Sequence, residues 1–318
     1  MKYIYNIIIP HKNTPKLLQR CLDSIPRRTD LHVIVVDDNS DPSIVDFIHF
    51  PGTDRDDVDV IFDKEGGGAG HARNIGLKHV NAEKLINADA DDFFTYCFND
   101  VLDEYADDNS DIVFFNASSI EEGTYLNANR SKYQNEIING YLEKDPQYYE
   151  LLLRYDHGSP CSKIIKMSLI EENNICFEEV PIHDDTRFCY LTGHLANKIK
   201  VDKRAIYCIS FSEKSLSYTL TDEKYLTRMH VIGKRDQFIK NLGFNLGCTG
   251  NFIKRTLVEI RESGRNELYR KCVNVLKDYD IDPTAIDKEI RNIIRKKKKD
   301  NTKNYIKMTI KHFIFKHE

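Results

Sequence analysis

Residues 31–40 read LHVIVVDDNS, a mainly apolar run that stops abruptly at four polar residues. A short apolar run followed by a polar turn indicates a buried strand. Similar runs recur through the first 116 residues, with helical patterns at about 14–25 and 71–80 between them. The predicted strands are Tyr3–Ile9, Leu31–Val36, Val58–Phe62, Leu85–Ala88 and Asp111–Asn116. This alternation predicts an α/β fold with a mostly parallel sheet that is covered on both faces.

Polar or glycine-rich clusters directly follow four of these strands. They are Pro10–Asn13, Asp37–Ser40, Gly66–Asn74 and Asp89–Asp92. In an open parallel sheet, ligands bind beyond the carboxyl ends of the strands. We therefore expect the four clusters to meet at one rim of the sheet and to form a ligand site there.

The fourth cluster places Asp89, Asp91 and Asp92 within four residues. Carboxylates held this close repel each other unless a cation neutralises them. Oxygen ligands suit a hard divalent ion, which typically takes one or two carboxylates together with phosphate oxygens and water. The cluster therefore predicts a Mn²⁺ or Mg²⁺ site that also binds a diphosphate. The alternative is a helix N-terminus, because Asp92 precedes Phe93 and Phe94 and acids favour that end of a helix.

The glycine-rich run Gly66–Gly70 leads into the helix that carries Arg73. It lacks the third glycine of a dinucleotide fingerprint and the Lys-Ser/Thr of a P-loop, which disfavours a nicotinamide oxidoreductase or an ATPase. The run either cradles phosphates or forms a flexible surface loop. Arg73 either reinforces an anion site or makes a structural ion pair with one of the aspartates.

In order and spacing, four segments resemble the signature of family 2 glycosyltransferases, which have the GT-A fold. They are Ile7–Asn13, Val35–Ser40, Ala72–Leu77 and Asp89–Asp92. The resemblance covers about residues 3–215, and four ordered motifs are more specific than the D-x-D triplet alone. It implies a nucleotide-sugar donor, with UDP as the expected nucleotide.

The resemblance also implies individual roles. Asp38 would hydrogen-bond the base, Asp89 would approach the ribose, and Asp91 would hold the metal with Asp92 as a neighbour or second ligand. Many relatives carry an aromatic residue where this chain has Lys12, so Lys12 either weakens base stacking or reaches a phosphate. The expected donor-binding residues are Pro10, Lys12, Asn13, Asp38, Gly70, Arg73, Asp89 and Asp91.

In the second half of the domain, the segment from Phe177 to Phe188 resembles the acidic pair of the same family. By this match Asp185 is the general base that takes the acceptor proton, and Asp184 is the neighbouring candidate. The alternative is that both acids cap a helix that begins near Thr186. Residues 159–163 fall where relatives place acceptor-side residues.

Together these roles predict an inverting glycosyltransferase of surface polysaccharide synthesis, with a hydroxyl of a glycan or lipid-linked glycan as acceptor. One alternative is a sugar-1-phosphate nucleotidyltransferase, but such enzymes usually carry an arginine-containing glycine-rich loop directly after the first strand. Here that place holds Pro10–Asn13. The other alternative is a scaffold that binds nucleotide sugar without turnover.

Composition limits the partners of this chain. The net charge is −4 overall, but residues 291–318 carry ten Lys and Arg against two acids. An acidic body with a basic tail does not fit a general nucleic-acid binder. The eight cysteines are scattered without a C-x-x-C pair, which favours a reduced, cytoplasmic protein. The first apolar run is too short for a signal peptide, and no run approaches the length of a membrane span.

We expect two parts, a catalytic domain at 1–220 and a helical region at 221–318. The predicted C-terminal helices are Tyr225–Leu242, Thr249–Glu262, Glu267–Lys277 and Ile286–Lys296. The basic tail at about 291–318 has apolar and lysine faces, so it would either contact the inner face of the cell membrane or pack on the body.

Overall fold

The computed structural model describes residues 3–212, 220–244 and 251–314, with 301–314 described by their backbone alone. The chain divides into two compact units, residues 1–219 and 220–318. In the part of the chain that is described, no helix is both long and apolar enough to cross a bilayer.

The first unit is built on one eight-stranded sheet with the order β3-β2-β1-β4-β7-β6-β8-β5. Its strands are β1 Tyr3–His11, β2 Leu31–Asp38, β3 Val58–Asp63, β4 Ala82–Asn87, β5 Phe93–Phe94, β6 Ile112–Glu121, β7 Lys163–Lys166 and β8 Ile199–Phe211. The first four are mutually parallel, and β6 is parallel to β8. The predicted α/β fold with a mostly parallel sheet is therefore confirmed.

The helices of this unit cover the sheet. They are α1 Pro15–Asp23, α2 Ala69–His79, α3 Phe98–Glu104, α4 Lys132–Glu143, α5 Pro146–Tyr155, α6 Met167–Glu172 and α7 Asp184–Leu195. The apolar side of α1 packs on one face of β1 and β2, and α2 packs on the other face. There Gly76 brings α2 so close that an added Cβ would lie 2.7 Å from Ile8 Cγ2.

One local prediction was wrong. The apolar periodicity of residues 117–150 is weak in the sequence and predicts loops and a short helix, whereas β6 continues to Glu121 and α4 and α5 follow it. The polar residues of this region obscure the apolar periodicity, although Ile137, Ile138 and Leu152 are buried. The apolar stretch at 163–170 forms a strand, β7, followed directly by α6. β7 runs antiparallel to both of its neighbours, which the apolar pattern did not reveal.

The second unit is helical, as predicted. Its helices are α8 Asp222–Asn241, α9 Asn251–Glu262, α10 Asn266–Val275 and α11 Pro283–Ile314, with a 3-10 turn at Leu276–Tyr279. They share a core that includes Met229, Leu257, Cys272 and Ile290. The start of the predicted helix at Thr249 and the side chains of residues 301–318 lie outside the described residues, so membrane contact of the basic tail stays a prediction.

Candidate active site

The carboxyl ends of β1 and β2 are tied together by buried polar side chains. Nδ1 of His11 lies 2.7 Å from Oδ1 of Asp37, and both side chains are fully buried. The Thr14 backbone N–H donates to His11 Nε2 at 3.1 Å, so the proton of the neutral ring belongs on Nδ1 and is donated to Asp37. Burial would raise the pKa of Asp37, but hydrogen bonds from His11 and Ser40 outweigh it and lower that pKa.

Asn13 completes this junction from a strained backbone position. Its φ of 55° is uncommon for a residue other than glycine. Its backbone N–H donates to Ser40 Oγ at 2.9 Å, and its Oδ1 accepts the Asp41 N–H at 2.8 Å. The first and second motifs therefore form one rigid rim. Pro10, the adjacent predicted donor residue, is the partner of Val36 in the β1–β2 pairing.

Asp38, the predicted base-binding residue, is buried and already paired on both oxygens. Oδ1 accepts the Gly68 backbone N–H at 2.9 Å, and Oδ2 accepts from Lys12 Nζ at 2.9 Å. The Lys12 side chain is half exposed. The lysine that replaces the expected aromatic residue thus neutralises Asp38 in this structure, and the glycine-rich run is anchored to the second motif.

Asp89, Asp91 and Asp92 gather their carboxylate oxygens within 4.8 Å of one another. The alternative of a helix N-terminus is wrong, because the next residues form strand β5, which pairs with β8. Asp92 is buried and accepts the Ser210 N–H at 2.7 Å. The buried Tyr207 hydroxyl accepts the Asp89 N–H at 2.8 Å and also hydrogen-bonds Asp92.

The electrostatics of this cluster fit a divalent cation. Burial, with repulsion from Asp89, raises the pKa of Asp91 to about 6. Burial and repulsion from both neighbours raise the pKa of Asp92 well above its usual value. Among the described residues, no lysine or arginine forms an ion pair with either carboxylate. A cluster of three carboxylates, two of which have no lysine or arginine partner among the described residues, suits Mn²⁺ or Mg²⁺, with Asp91 and Asp92 as the nearest candidates for ligands.

Arg73 connects this cluster to the acidic pair Asp184–Asp185, which lies 92 or more residues further along the chain. Its Nη2 donates to Asp89 Oδ1 at 2.5 Å, and its Nη1 donates to Asp184 Oδ2. The guanidinium is buried and lies 5.4 Å from the centre of the Phe177 ring. Burial would lower the pKa of Arg73, but the two carboxylates outweigh it and raise that pKa. The expected ion pair with one aspartate is an ion pair with two.

The acidic pair opens helix α7, which begins at Asp184, two residues before the start near Thr186 in the capping alternative. Both acids lie in the first turn, and His183 precedes them in a left-handed conformation with φ of 61°. Burial, followed by repulsion from Asp184, raises the pKa of Asp185 to about 7. Within the described residues, no side chain is recorded as a hydrogen-bond donor to the Asp185 carboxylate. A half-buried carboxylate with this pKa is suited to accept a proton near neutral pH.

Asn74 and Gly70 hold the segment before α7 against α2. The Asn74 side chain donates to the Phe177 carbonyl at 3.1 Å and accepts the Phe177 N–H at 2.9 Å. A Cβ on Gly70 would lie 2.1 Å from the Glu178 carbonyl oxygen and 2.9 Å from Asp184 Cβ. Gly70, a predicted donor-binding residue, therefore has a packing role that brings Asp184 close to Arg73.

Gly70→Ala is expected to destabilise the fold by about 1–3 kcal/mol, since overpacking at this contact must push the 178–184 segment away. The free energy of unfolding from urea titration measures the effect. Gly158→Ala is the matched control, because a Cβ there meets no atom within 4 Å. Equal stability of the two variants would contradict the packing role.

Other polar side chains near the site were not recognised from the sequence. Lys163, within the segment expected on the acceptor side, is buried and donates to the His157 carbonyl at 2.9 Å. Tyr207 and Arg20 contact the aspartate cluster, yet neither belongs to a recognised motif. An aromatic residue in a strand and a charge on an amphipathic helix are ordinary in sequence, so only Asn74, inside the third motif, carried a signal.

The chain matches the model of the family described as "Glycosyl transferase family 2" over residues 6–169. It is 26% identical over 226 residues to "Uncharacterized glycosyltransferase EpsJ" of Bacillus subtilis, covering 67% of this chain and 63% of that protein. It is 24% identical to "Poly(ribitol-phosphate) beta-N-acetylglucosaminyltransferase TarS" of Staphylococcus aureus, covering 64% of this chain and 35% of that protein. The chain thus spans less than two thirds of the length of either relative.

The solved structures agree with this match at the level of the fold. The structure of S. aureus TarS residues 1–349 in complex with UDP-GlcNAc superposes with a TM-score of 0.60 and 20% identity. The similarity covers 88% of this chain and 80% of that one. The expected GT-A fold is therefore confirmed.

Proposed function

The chain belongs to glycosyl transferase family 2, and from this premise we propose that it is an inverting, metal-dependent glycosyltransferase. The donor is a nucleotide diphosphate sugar, with UDP as the nucleotide. The acceptor is a hydroxyl of a glycan or lipid-linked glycan in the synthesis of a surface polysaccharide. The UDP-GlcNAc complex of TarS and the name of that relative support this choice of donor class and acceptor class.

One observation carries the proposal: Arg73 joins the aspartate cluster and the acidic pair through Asp89 and Asp184. The carboxylates that could hold a metal ion and Asp185, whose pKa is raised to about 7, therefore belong to a single site. Transfer from a diphosphate donor needs these two functions together, charge stabilisation on the leaving group and a base for the nucleophile.

We assign the steps to the side chains as follows. Asp91 and Asp92 would hold the metal, which when bound would supply positive charge to neutralise the leaving diphosphate. Arg73, kept cationic by its two carboxylates, adds a fixed charge at the same point. Asp185 takes the proton of the acceptor hydroxyl as its oxygen bonds to the anomeric carbon and the bond from that carbon to the diphosphate breaks. A single displacement of this kind inverts the anomeric configuration.

The structure of the first loop disfavours a sugar-1-phosphate nucleotidyltransferase. The His11 and Asn13 side chains after β1 are engaged in holding β1 to β2. This loop, Pro10–Asn13, contains neither the arginine nor the glycines that would bind a nucleoside triphosphate there. Family membership and this loop both favour sugar transfer.

Calorimetric titration of UDP into the full chain with Mn²⁺, repeated with EDTA, tests the proposal. We expect binding that EDTA abolishes, because the diphosphate and Asp91–Asp92 share the cation. GDP titrated under the same conditions is the nucleotide control and should bind more weakly. UDP binding without turnover of any UDP-sugar would favour the scaffold alternative, and preferential GDP binding would contradict the choice of UDP.

A further inference from the structure

Arg20 is a charged side chain of α1 that makes contacts with three separate segments beside the aspartate cluster. Its Nη2 donates to the Asp91 carbonyl oxygen at 2.5 Å and to Ser210 Oγ at 2.8 Å. Its Nη1 donates to both carboxylate oxygens of Glu122, at 3.1 and 2.9 Å. The guanidinium carbon lies 5.0 Å from the centre of the Phe93 ring. The side chain is 21% exposed, so these bonds are shielded from water over most of their surface.

These contacts reach two members of the cluster by different routes. Arg20 holds Asp91 directly through its main-chain carbonyl. It holds Asp92 indirectly, because Ser210, which accepts from Arg20, donates its own N–H to Asp92 Oδ1 at 2.7 Å. The contact of the guanidinium with the Phe93 ring holds the residue that follows Asp92. One guanidinium thus sets the backbone of the whole turn that carries the two expected metal ligands.

Glu122 balances the charge that Arg20 brings to the turn. Without Glu122, a cation next to the cluster would oppose the binding of a divalent ion. With Glu122 the pair is neutral, and what Arg20 contributes is geometry. Side chains that orient metal ligands through hydrogen bonds typically change metal affinity or activity by about 10–100-fold when they are removed.

We propose that Arg20 is a positioning residue for the metal site, with Glu122 as its counter-ion. This inference rests on the proposed function, because it concerns the cation that the aspartate cluster would hold. It goes beyond that function by assigning to Arg20 of α1, and to Glu122 directly after β6, a role in holding the metal ligands in place without contact with the donor or the acceptor. The planar guanidinium is required, since it donates to acceptors on three residues that a lysine ammonium would not span in the same geometry.

The sign of the effect separates positioning from simple charge. Arg20→Gln removes a positive charge near the cluster, so a purely electrostatic role predicts tighter Mn²⁺ binding. A positioning role predicts weaker binding in spite of the lost positive charge. The double variant Arg20→Gln/Glu122→Gln keeps the net charge of the wild type, and it therefore measures the geometric contribution alone.

The experiment is a titration of the full chain with Mn²⁺ alone, in which the free ion is measured by electron paramagnetic resonance. We expect about tenfold weaker Mn²⁺ binding in the double variant and a smaller loss in Arg20→Lys. Arg28→Gln is the matched control, because Arg28 makes a similar two-bond contact with Asp30 and also bonds Asp103. That control should bind Mn²⁺ within about twofold of the wild type.

Two results would overturn the inference. One is a double variant that binds Mn²⁺ as tightly as the wild type, and the other is a wild type that binds no Mn²⁺ at all. The calorimetric titration with UDP then separates failure of the proposed function from failure of the role of Arg20. If UDP binding depends on Mn²⁺ while the double variant is normal, the proposed function stands and the role of Arg20 falls. Should the double variant fail to fold, Arg20→Lys, which keeps the charge, decides by the same measurement.

Discussion

We expect Asp91→Asn to abolish the proposed sugar transfer and to remove the metal-dependent part of nucleotide binding. The reason is that the carboxylate oxygens of Asp89, Asp91 and Asp92 lie within 4.8 Å of one another, and the proposed cation would depend on their negative charge. An asparagine of the same shape contributes a neutral oxygen. We expect a loss of at least about 100-fold in kcat/KM, the range observed when one group that stabilises transition-state charge is removed.

Asp91→Asn is expected to leave the metal-free fold at least as stable as the wild type, although it removes activity. The pKa of Asp91 is raised to about 6 in the folded chain, so the native state binds a proton more tightly than the unfolded state does. The free energy of unfolding therefore falls as pH rises from about 4 to about 6, and above that range Asp91 weakens the metal-free fold. Asparagine relieves this repulsion. Thermal unfolding at pH 7 in EDTA should give a Tm at least as high as that of the wild type.

Loss of activity together with retained stability would show that Asp91 serves function and not folding. Asp107→Asn, at an exposed position, is the control for the change of charge and should leave both quantities unchanged. An Asp91→Asn variant that kept UDP binding sensitive to EDTA would contradict Asp91 as a ligand. A variant that lost activity because it unfolded would show a lower Tm than the wild type.

Asp185→Asn is expected to lower kcat by about 10²–10⁴-fold, the usual contribution of a positioned general base. UDP binding in the presence of Mn²⁺ should stay within about twofold of the wild type, because Asp185 is not a member of the metal cluster. The measurements are calorimetric binding of UDP and initial rates of transfer. The two variants are thus separable: Asp91→Asn loses binding and rate, and Asp185→Asn loses rate alone.

The pH profile gives an independent readout of the base. Burial and the neighbouring charge of Asp184 raise the pKa of Asp185 to about 7, and only its deprotonated form accepts the acceptor proton. The kcat/KM of the wild type should therefore rise about tenfold per pH unit below pH 7 and level off above it. Any residual activity of Asp185→Asn should lack this rise.

Asp184→Asn serves as the comparison for the base assignment. Asp184 is the ion-pair partner of Arg73, so its removal should chiefly weaken donor binding and raise the KM for the donor. Normal turnover in Asp185→Asn, or a larger loss of kcat in Asp184→Asn, would transfer the role of base to Asp184. Both substitutions are isosteric, which limits structural side effects.

Much of the fold follows from local patterns in the sequence. Runs such as Leu31–Val36 are short and apolar, and each ends in polar residues, so strand and turn are readable without any partner. Parallel strands end at the same edge of the sheet, which explains why clusters near Pro10, Asp38 and Asp89 could be assigned to one rim. The family, the GT-A fold and the position of the acidic turn required only these local signals.

Tertiary structure decided which polar side chain pairs with which. Several carboxylates in this sequence could pair with a buried guanidinium, so the sequence does not predict the partner of Arg73. In the folded chain both Asp89 and Asp184 lie within hydrogen-bond distance of it. The pairing of Lys12 with Asp38 and the contacts of Arg20 depend in the same way on chain segments brought together from afar. Apolar periodicity depends only on residues close together in the chain, so it can be read from the sequence. Which polar side chains pair depends on distances between remote segments, and these are set only by folding.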